Sequence, residues 1–292
     1  MTTRRNIGSK IGKYTITRYI SSGGFGDVYE VLYDNKIFAV KVPSSDIKKN
    51  GLDHLTEEYN IIQELSNRDI GIMNVKLIKD NDSKAMVMDL LGPSLYDLKK
   101  QYKIDLKSLL LITIQSIKIL EHIHNKGFVH RDIKTCNLVV NPYNPNQIFC
   151  IDFGLTTRWK KNGTHVKKDT IKGFCGTEKY ASSNAHKYII QSRRDDLESL
   201  SYTLANLYKD IKWNASKIKD KKERLKELGN EKEKCTGTEL FTQLPMEFAK
   251  LYDYTKTLEF TDKPSYSKLI NMFERRYKLN NYTDRNIQWT QV

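Results

Sequence analysis

The sequence predicts an α+β protein, with a small antiparallel sheet and one helix first and a larger, mainly helical part after them. Two observations support this prediction. Short runs that alternate apolar and polar residues fill residues 14–42 and are separated by turns, as expected for strands of an antiparallel sheet. Beyond the Gly-Pro pair at residues 92–93, apolar residues instead recur mostly at helical spacing. The two parts are therefore expected to meet near residues 89–93.

The first part is predicted to contain several strands and one helix. The strands are YTITRYI from residue 14, DVYEVLY from 27, KIFAVKV from 36 and KAMVMDLL from 84, with the turn SSGGFG after the first. The helix is predicted for residues 52–65, because Leu55, Glu58, Ile62 and Leu65 recur at spacings of three and four. One member of this apolar stripe is thus a carboxylate.

Helices dominate the predictions for the second part. Residues 108–124 are apolar on several sides and are predicted as a central buried helix that stops near Gly127. Further helices are predicted for DDLESLSYTLANLY at 195–208 and around residues 245–258 and 264–277. Residues 217–234 mix both charges, which is typical of a solvated helix. A nuclear address or nucleic-acid patch in DKKERLK is the alternative interpretation.

Composition excludes several classes of protein. Of 292 residues, 39% are apolar, which is enough for a packed core, but no run approaches the about 18 apolar residues of a membrane span. The basic N-terminus is not followed by an apolar segment, so no secretory signal is expected. The cysteines at 136, 150, 175 and 235 show no CxxC spacing, which favours free thiols. We therefore expect a cytoplasmic or nuclear protein, or one found in both.

The chain is strongly basic. Lys and Arg number 49 against 35 Asp and Glu, so the formal net charge is +14. Such a charge indicates an anionic partner, and nucleic acid, an anionic membrane and acidic or phosphorylated protein all fit. An ordinary solvated surface rich in lysine explains the composition equally well.

The glycine-rich turn is a candidate phosphate-binding loop. Without a Cβ, the backbone N–H groups of residues 23–26 can close over phosphate oxygens, although many plain hairpins contain as many glycines. Lys41 ends an apolar strand, and Glu58 on the buried helix face needs a cation. We therefore predict an ion pair between them that places the ammonium near phosphates. Glu57, which lies off the apolar stripe, is the alternative partner.

Two polar clusters follow short apolar runs in the second part. One is HRD at residues 130–132 with Asn137 five positions after the Asp, and the other is DFG at residues 152–154. Asp132 is of the type that accepts or orients a hydroxyl proton. The amide oxygen of Asn137 and the carboxylate of Asp152 are ligands that Mg²⁺ prefers. A bound cation would also offset the cost of a carboxylate that follows an apolar run.

The glycine loop, the lysine, the glutamate, HRDxxxxN and DFG stand in the order that phosphoryl transfer by a protein kinase requires. Over residues 12–280 the chain resembles the eukaryotic protein kinase fold, and it closely resembles the casein kinase 1 family. The closer resemblance rests on LLGPSL (90–95), GTEKYAS (176–182), QSRRDDLESL (191–200), DKPSYSKL (262–269) and SSNAH (182–186), which replaces the usual APE triplet. It implies a bilobal fold, with an N-lobe at 1–89, a C-lobe at 90–280 and a short tail at 281–292.

The resemblance implies catalytic and metal-binding roles. Asp132 would be the base or the hydroxyl-orienting group, and Lys134 would neutralise charge near the transferring phosphoryl group. Thr177 would align the substrate hydroxyl. Asn137 would act in catalysis and, with Asp152, would hold Mg²⁺. Asp196, in the helix that follows, would brace the catalytic loop.

The resemblance also implies an ATP site. Lys41, paired with Glu58, would hold the α- and β-phosphates, and Met88 would be the gatekeeper residue before a hinge at residues 89–91. Asp97 would reach the ribose, and Val139 would form the floor of the adenine pocket. The full expected set is Ile20, Ser22, Gly23, Gly24, Phe25, Gly26, Val28, Ala39, Lys41, Glu58, Met88, Asp89, Leu91, Asp97, Val139, Ile151 and Asp152.

Three positions depart from the family pattern. Ser21 replaces the first loop glycine, which would loosen the phosphate cradle if the backbone there needs glycine. Thr135 stands where proline is common, and Lys179 stands where the family usually has arginine, so bidentate geometry is lost. No catalytic acid or base is replaced, so ATP binding and activity are still expected.

Relatives of casein kinase 1 favour Ser or Thr downstream of an acidic or phosphorylated residue, which requires fixed cations beside the substrate cleft. The candidates here are Arg131, Lys172, Lys179, Lys217 and Lys221. Each alone is also compatible with a solvated surface, and Arg131 with packing of its own loop.

The expected function is therefore a constitutively active, monomeric Ser/Thr kinase that uses Mg-ATP and acts on acidic or pre-phosphorylated proteins. Constitutive activity is expected because no Ser or Thr of the activation segment is an obvious obligate phosphosite and only a short tail follows the domain. One alternative is a catalytically impaired, kinase-like scaffold that binds phosphorylated partners. Another is a kinase associated with nucleic acid, but the chain lacks a recognisable platform of interleaved aromatic residues. Nucleic acid is therefore not expected to be the main partner.

Overall fold

The computed structural model describes residues 4–24, 26–43, 53–80 and 83–291. The chain forms two compact units. The first unit is Met1–Gly92 with Ile151–Gly154, and the second is Pro93–Cys150 with Leu155–Val292. A six-stranded sheet and one helix build the first unit, and the second is mainly helical. The predicted α+β class, with an N-terminal antiparallel sheet and a helical C-terminal region, is confirmed.

The first unit is an antiparallel sheet in the order β1-β2-β3-β4-β6-β5. Its elements are β1 (Lys10–Ile11), β2 (Tyr14–Gly23), β3 (Gly26–Tyr33), β4 (Lys36–Val42), α1 (His54–Leu65), β5 (Val75–Asp80) and β6 (Ser83–Asp89). The four predicted strands and the predicted helix are present. The sequence does not indicate β1, which has two residues, or β5, where adjacent Leu77 and Ile78 break the alternation.

Alternation along the strands gives the sheet two faces with different chemistry. One face is an apolar cluster, formed by Ile11, Tyr14, Ile16, Tyr29, Val31, Val40, Val42, Ala85 and Val87. Lys41 lies between Val40 and Val42 in β4, so its side chain leaves the sheet on the opposite face. There it meets α1, whose buried residues are the predicted stripe Leu55, Glu58, Ile62 and Leu65.

The glycine-rich hairpin between β2 and β3 needs glycine at one described position. Gly26 has a φ of +148°, and a Cβ there would lie 2.0 Å from the carbonyl oxygen of Val42. Cβ atoms at Gly23 and Gly24 would meet open space among the described residues. Ser21 is outside the positive-φ region, so the backbone at this departure from the family pattern does not require glycine.

The second unit is built on helices with four small antiparallel strand pairs. The helices are α2 (Leu95–Gln101), α3 (Leu106–Asn125), α4 (Ser183–His186), α5 (Arg193–Tyr208), α6 (Lys221–Lys234), α7 (Gly237–Leu240), α8 (Met246–Thr257) and α9 (Tyr266–Leu279). The strands are β7 (Tyr102–Ile104), β8 (Phe128–Val129), β9 (Leu138–Asn141), β10 (Asn144–Cys150), β11 (Thr157–Arg158), β12 (Lys160–Lys161), β13 (Thr164–His165) and β14 (Trp289–Gln291). The pairs are β7 with β14, β8 with β11, β9 with β10 and β12 with β13.

The predicted central helix is α3, which is buried over most of its length and packs against α5 and α9. It ends at Asn125 with Lys126 as its C-cap, and Gly127 follows with a φ of +94°, a conformation that favours glycine. The mixed-charge helix α6 differs from expectation, because Leu225, Leu228, Gly229 and Lys232 are buried. Part of this helix therefore belongs to the core.

Among the helices of the described ranges, none is both long and apolar enough to span a bilayer.

Candidate active site

A buried ion pair joins the sheet and the helix of the first unit. The Nζ of Lys41 lies 2.9 and 2.7 Å from the two carboxylate oxygens of Glu58. Both side chains are buried, whereas Glu57 is exposed on α1. The predicted pair is therefore present, and its partner is Glu58. The pair forms because β4 and α1 each place one charged residue in an otherwise apolar stripe.

Asp152 belongs to the same unit and adds a second carboxylate to this lysine. Its Oδ1 lies 3.4 Å from the Nζ of Lys41, and its side chain is 39% exposed. Burial disfavours the ammonium form of Lys41, but the charges of Glu58 and Asp152 outweigh it and raise the pKa of this lysine. Lys41 is therefore a fixed cation with an accessible carboxylate beside it.

The strand register places the expected adenine-binding residues of the sheet on the face that holds Lys41. Val28 pairs with Lys41, and Ala39 pairs with Met88. Lys41 and Ala39 are two residues apart in β4, so all four lie on one face. Asp89, next to Met88, forms an ion pair with Arg68.

The remaining expected ATP residues of the first unit lie around the hairpin and beyond β6. Ile20, Ser22, Gly23 and Gly24 are exposed in or just after β2. Leu91 follows β6, and Ile151 precedes Asp152; both are half-buried. Phe25 lies outside the described residues.

In the second unit, Asp132 is the centre of a compact polar cluster. The Oγ1 of Thr177 donates to Oδ1 of Asp132 at 2.7 Å, and the Nζ of Lys134 donates to Oδ2 at 2.6 Å. Lys134 also lies 3.1 Å from Thr177 Oγ1. The structure thus brings together three of the residues that the sequence predicts to be catalytic. The carboxylate of Asp132 accepts a hydrogen bond from the Thr177 hydroxyl group.

Asn137 is held by the same loop. It closes a 3₁₀ turn, Thr135–Asn137, and its Nδ2 donates to the backbone carbonyl of Asp132 at 2.9 Å. This bond uses the amide nitrogen and orients the side chain, and the amide oxygen is the atom that could bind a metal ion. Asn137 and Asp132 are both buried, so the loop geometry is fixed by internal contacts.

The donor chemistry fits Mg²⁺. The amide oxygen of Asn137 and the partly exposed carboxylate of Asp152 are hard oxygen ligands. The described residues contain no group of three or more His, Cys, Asp or Glu that could hold a metal ion alone. A Mg²⁺ ion bound through few protein oxygens commonly completes its shell with phosphate oxygens and water.

Asp196, a fully buried carboxylate on α5, holds the backbone of the loop that contains Asp132. Asp196 accepts from the backbone N–H groups of His130 at 2.7 Å and Arg131 at 2.8 Å, and it contacts Nε2 of His124 at 2.8 Å. Burial alone would raise the pKa of Asp196, but its hydrogen bonds to His124 and the loop hold it lowered. The brace that the resemblance implies for Asp196 is compatible with these contacts, and His124 is a member of it that the sequence did not single out.

Two expected ATP residues lie in the second unit. Asp97 accepts a hydrogen bond from Ser94 Oγ at 2.6 Å as part of the cap of α2. Val139 is buried in β9 and forms an isolated bridge with Ser94. The Asp97 carboxylate therefore has a structural bond in addition to its expected contact with ribose.

The five expected anion-binding residues have different surroundings. Lys179 is bound to Asp210, with Nζ 2.7 Å from Oδ1, and Arg131 donates through Nε to the carbonyl of Leu155. Lys172, Lys217 and Lys221 have no ion-pair partner in the part of the chain that the structure describes. Arg131 thus has the loop-packing contact that was its alternative.

Two carboxylates near the expected anion-binding residues, Glu178 and Asp210, were not predicted. Glu178 is bound by Arg224 of α6 at 2.8 Å, and the pKa of Glu178 is lowered by this bond, with a smaller contribution from Lys221. Asp210 also lies 3.6 Å from Lys99. Single carboxylates in loops have no periodicity, so nothing in the sequence indicated that they would face these cations.

The first unit thus has a buried lysine, Lys41, which could bind a phosphate group. The second has a carboxylate, Asp132, that accepts a hydrogen bond from a hydroxyl group. Both groups are of the kind that a phosphotransferase needs. Residues 14–272 match the family described as the protein kinase domain. The match covers well over half of the chain, so the chain belongs to this family. Membership implies phosphoryl transfer to protein substrates, and domains of this family generally use ATP with Mg²⁺.

Proposed function

We propose that the chain is an active Ser/Thr kinase of the casein kinase 1 type, which transfers the γ-phosphoryl group of ATP to Ser or Thr hydroxyls. The observation that carries the proposal is the cluster at Asp132. Its Oδ1 accepts from Thr177 Oγ1 at 2.7 Å while Lys134 lies 2.6 Å from its other oxygen. A substrate hydroxyl in hydrogen-bonding reach of Asp132 would meet the same acceptor and the same cation.

Each residue then has a defined task. Asp132 orients the substrate hydroxyl and accepts its proton, and Lys134 neutralises charge that develops on the transferred group. Lys41, fixed by Glu58, holds phosphate oxygens of ATP. Asn137 and Asp152 each carry an oxygen of the kind that Mg²⁺ prefers, and the ion would offset the negative charge of the phosphates.

The contacts of residues 182–183 support the assignment to the casein kinase 1 type. Ser182 Oγ donates to Asp195 at 2.7 Å, and the backbone N–H of Ser183 donates to Glu198 at 2.8 Å. Lys256 bonds the same Glu198 at 2.7 Å. Two of the five segments on which the resemblance rests, SSNAH and QSRRDDLESL, are thus joined by hydrogen bonds between buried residues.

The activity is tested by phosphate transfer from labelled ATP to casein and to acidic peptides. We expect labelling of Ser and Thr by the wild-type chain and none by Asp152→Ala. Labelling that persists in Asp152→Ala would indicate a contaminating kinase. A wild-type chain that transfers no phosphate but binds phosphopeptides would instead support the scaffold alternative.

We further propose that Lys179 contributes to recognition of acidic or phosphorylated substrates, and that Asp210 competes with them. The Nζ of Lys179 donates a hydrogen bond to Oδ1 of Asp210 at 2.7 Å. Both side chains are partly exposed, at 34% and 57%, so a substrate phosphate can displace Asp210 at modest cost.

Replacing Asp210 with asparagine should raise the preference for a pre-phosphorylated peptide. The substitution keeps the shape of the side chain and removes its charge, and an exposed pair of this kind is worth about 0.2–1 kcal/mol. We expect the ratio of kcat/KM for primed and unprimed peptides to increase about 1.5- to 5-fold. Lys179→Ala should lower this ratio with or without Asp210→Asn. Equal ratios in all variants would remove Lys179 from the recognition site.

A further inference from the structure

Lys232 is a fully buried lysine on the buried stripe of α6, a helix whose other side is charged and exposed. It lies in α6 with 0% of its surface exposed. Its Nζ donates to the backbone carbonyls of Glu178 and Ala181, each at 2.7 Å. Both carbonyls belong to residues 176–181, which we call the Thr177 turn. The lysine therefore joins α6 to the segment whose hydroxyl meets Asp132.

The Thr177 turn is tight and is held at both ends. The backbone N–H groups of Tyr180 and Ala181 both donate to the carbonyl of Thr177 at 2.9 Å. At one end Thr177 Oγ1 is bonded to Asp132 at 2.7 Å. Lys232 binds the carbonyl of the next residue, Glu178, and the carbonyl of Ala181 at the other end of the turn. A shift at the lysine is thus transmitted across few bonds to the hydroxyl that faces Asp132.

Two aromatic side chains, Tyr202 and Trp213, lie beside the amine of Lys232. The rings of Tyr202 and Trp213 have their centroids 4.9 and 5.4 Å from Nζ. Trp213 Nε1 also donates to the carbonyl of Lys179 at 3.0 Å. Three carbonyls of the turn are therefore bonded to Trp213 or to Lys232. An apolar side chain in place of the lysine would leave the carbonyl of Ala181 without its donor, and would leave the carbonyl of Glu178 with only its contact to His186 Nε2 at 3.2 Å.

A buried amine is costly, and the surroundings reduce the cost. Burial lowers the pKa of Lys232 to about 7, against a partial opposing effect of nearby carboxylates, chiefly Glu198. His186 Nε2 lies 3.2 Å from Nζ, and burial and Lys232 lower the pKa of this histidine to about 3. Lys232 can thus lose its charge readily, and a neutral amine still donates two hydrogen bonds. Its two bonds to the turn do not depend on the charge.

We propose that Lys232 is a positioning residue, which fixes the Thr177 turn so that Thr177 and Asp132 present the substrate hydroxyl in one geometry. The proposal rests on the proposed kinase activity. It assigns to Lys232 no contact with substrate or ATP. Lys232 binds Glu178 and Ala181, and none of these three is among the residues expected to bind ATP. Loss of the lysine should therefore affect the protein substrate and spare the affinity for ATP.

The decisive variant is Lys232→Met, which keeps an unbranched apolar stem and removes the donor. Loss of two hydrogen bonds at about 0.5–1.5 kcal/mol each corresponds to a change of about 5- to 160-fold. We expect KM for an acidic peptide to rise by that factor while KM for ATP stays constant. We also expect faster amide hydrogen exchange in residues 177–181.

Two lysines provide matched controls. Lys234→Met lies on the exposed side of the same helix and should change nothing. Lys256→Met perturbs the neighbouring buried network, since Lys256 bonds Glu198 and Ser183, but it makes no bond to residues 176–181. It should lower the melting temperature without the selective effect on peptide KM.

The proposal is overturned if Lys232→Met lowers the melting temperature but leaves peptide KM and exchange in the turn unchanged. It is equally overturned if KM for ATP rises as much as KM for peptide. If the methionine variant does not fold, Lys232→Gln, which keeps a donor on a side chain one atom shorter, is measured in the same way. Hydrogen exchange requires no activity, so this arm remains decisive even if the proposed kinase function fails.

Discussion

Replacing Asp132 with asparagine should slow phosphoryl transfer by about 10²–10⁴-fold, the range for loss of a positioned acid–base group. The asparagine keeps the size of the side chain and an oxygen that Thr177 Oγ1 can still bond. It removes the negative charge that now attracts Lys134 at 2.6 Å and the ability to accept a proton. The measurement is kcat with an acidic peptide at saturating ATP.

The substitution should leave nucleotide binding intact, because Asp132 is not among the residues expected to bind ATP and its side chain keeps its size. Titration with a fluorescent ATP analogue checks this. Asp169→Asn, at an exposed position of the same unit, is the control for removing one carboxylate. A kcat within about threefold of wild type would show that Asp132 is not the base, since any acid–base role is worth more.

Replacing Lys41 with methionine should destabilise the protein by about 3–5 kcal/mol, because it leaves Glu58 buried without a cation. In the wild type, Glu58 is 3% exposed and lies 2.7 Å from the ammonium. The variant should also lose phosphoryl transfer, because it lacks the cation proposed to hold the phosphate oxygens of ATP. The free energy of unfolding is measured by denaturant titration, and transfer by the peptide assay.

A double variant separates the two effects of Lys41. Lys41→Met with Glu58→Leu removes both charges, and such replacements are often neutral or stabilising. We expect the double variant to recover most of the stability of wild type and none of its activity. Activity in the double variant would contradict the assigned role of Lys41 in phosphate binding.

The single Lys41→Met variant should also respond to pH. Burial raises the pKa of Glu58, and without Lys41 nothing comparable opposes this effect. A carboxyl whose pKa is higher in the folded state favours folding at low pH, and the contribution is lost as pH rises through the folded-state pKa. The stability deficit of Lys41→Met relative to wild type should therefore shrink as pH falls towards the range where Glu58 protonates.

Much of the first unit could be predicted because its signals are local. Alternating residues predicted the main strands, and the spacing of Leu55, Ile62 and Leu65 placed Glu58 on the buried side of α1. The pairing with Lys41 followed from the cost of an unpaired buried carboxylate. β5 could not be recognised, since its polar and apolar residues do not alternate, and only pairing with β6 makes it a strand.

The second unit shows where sequence reasoning fails. The high charge of α6 indicated a solvated helix, yet Leu225, Leu228 and Lys232 recur at spacings of three and four, the same signal that identified Glu58. The many charged residues of α6 made it look fully exposed, although one narrow stripe of the helix is buried. No such spacing identified Asp210. It lies just after α5, and its partner Lys179 is 31 residues away in the sequence, so the contact depends on the tertiary fold.

The four residues Ile151–Gly154 belong to the first unit, although the chain on both sides of them belongs to the second. This has a consequence for synthesis on the ribosome, where chains emerge at about 5–20 residues per second. Asp152 emerges only after Pro93–Cys150, most of a different unit, has been made. The nascent sheet, with Lys41 and Glu58 in place, must therefore persist for seconds before its last carboxylate arrives. Translation speed across this interval is a variable to which the yield of native protein should be sensitive.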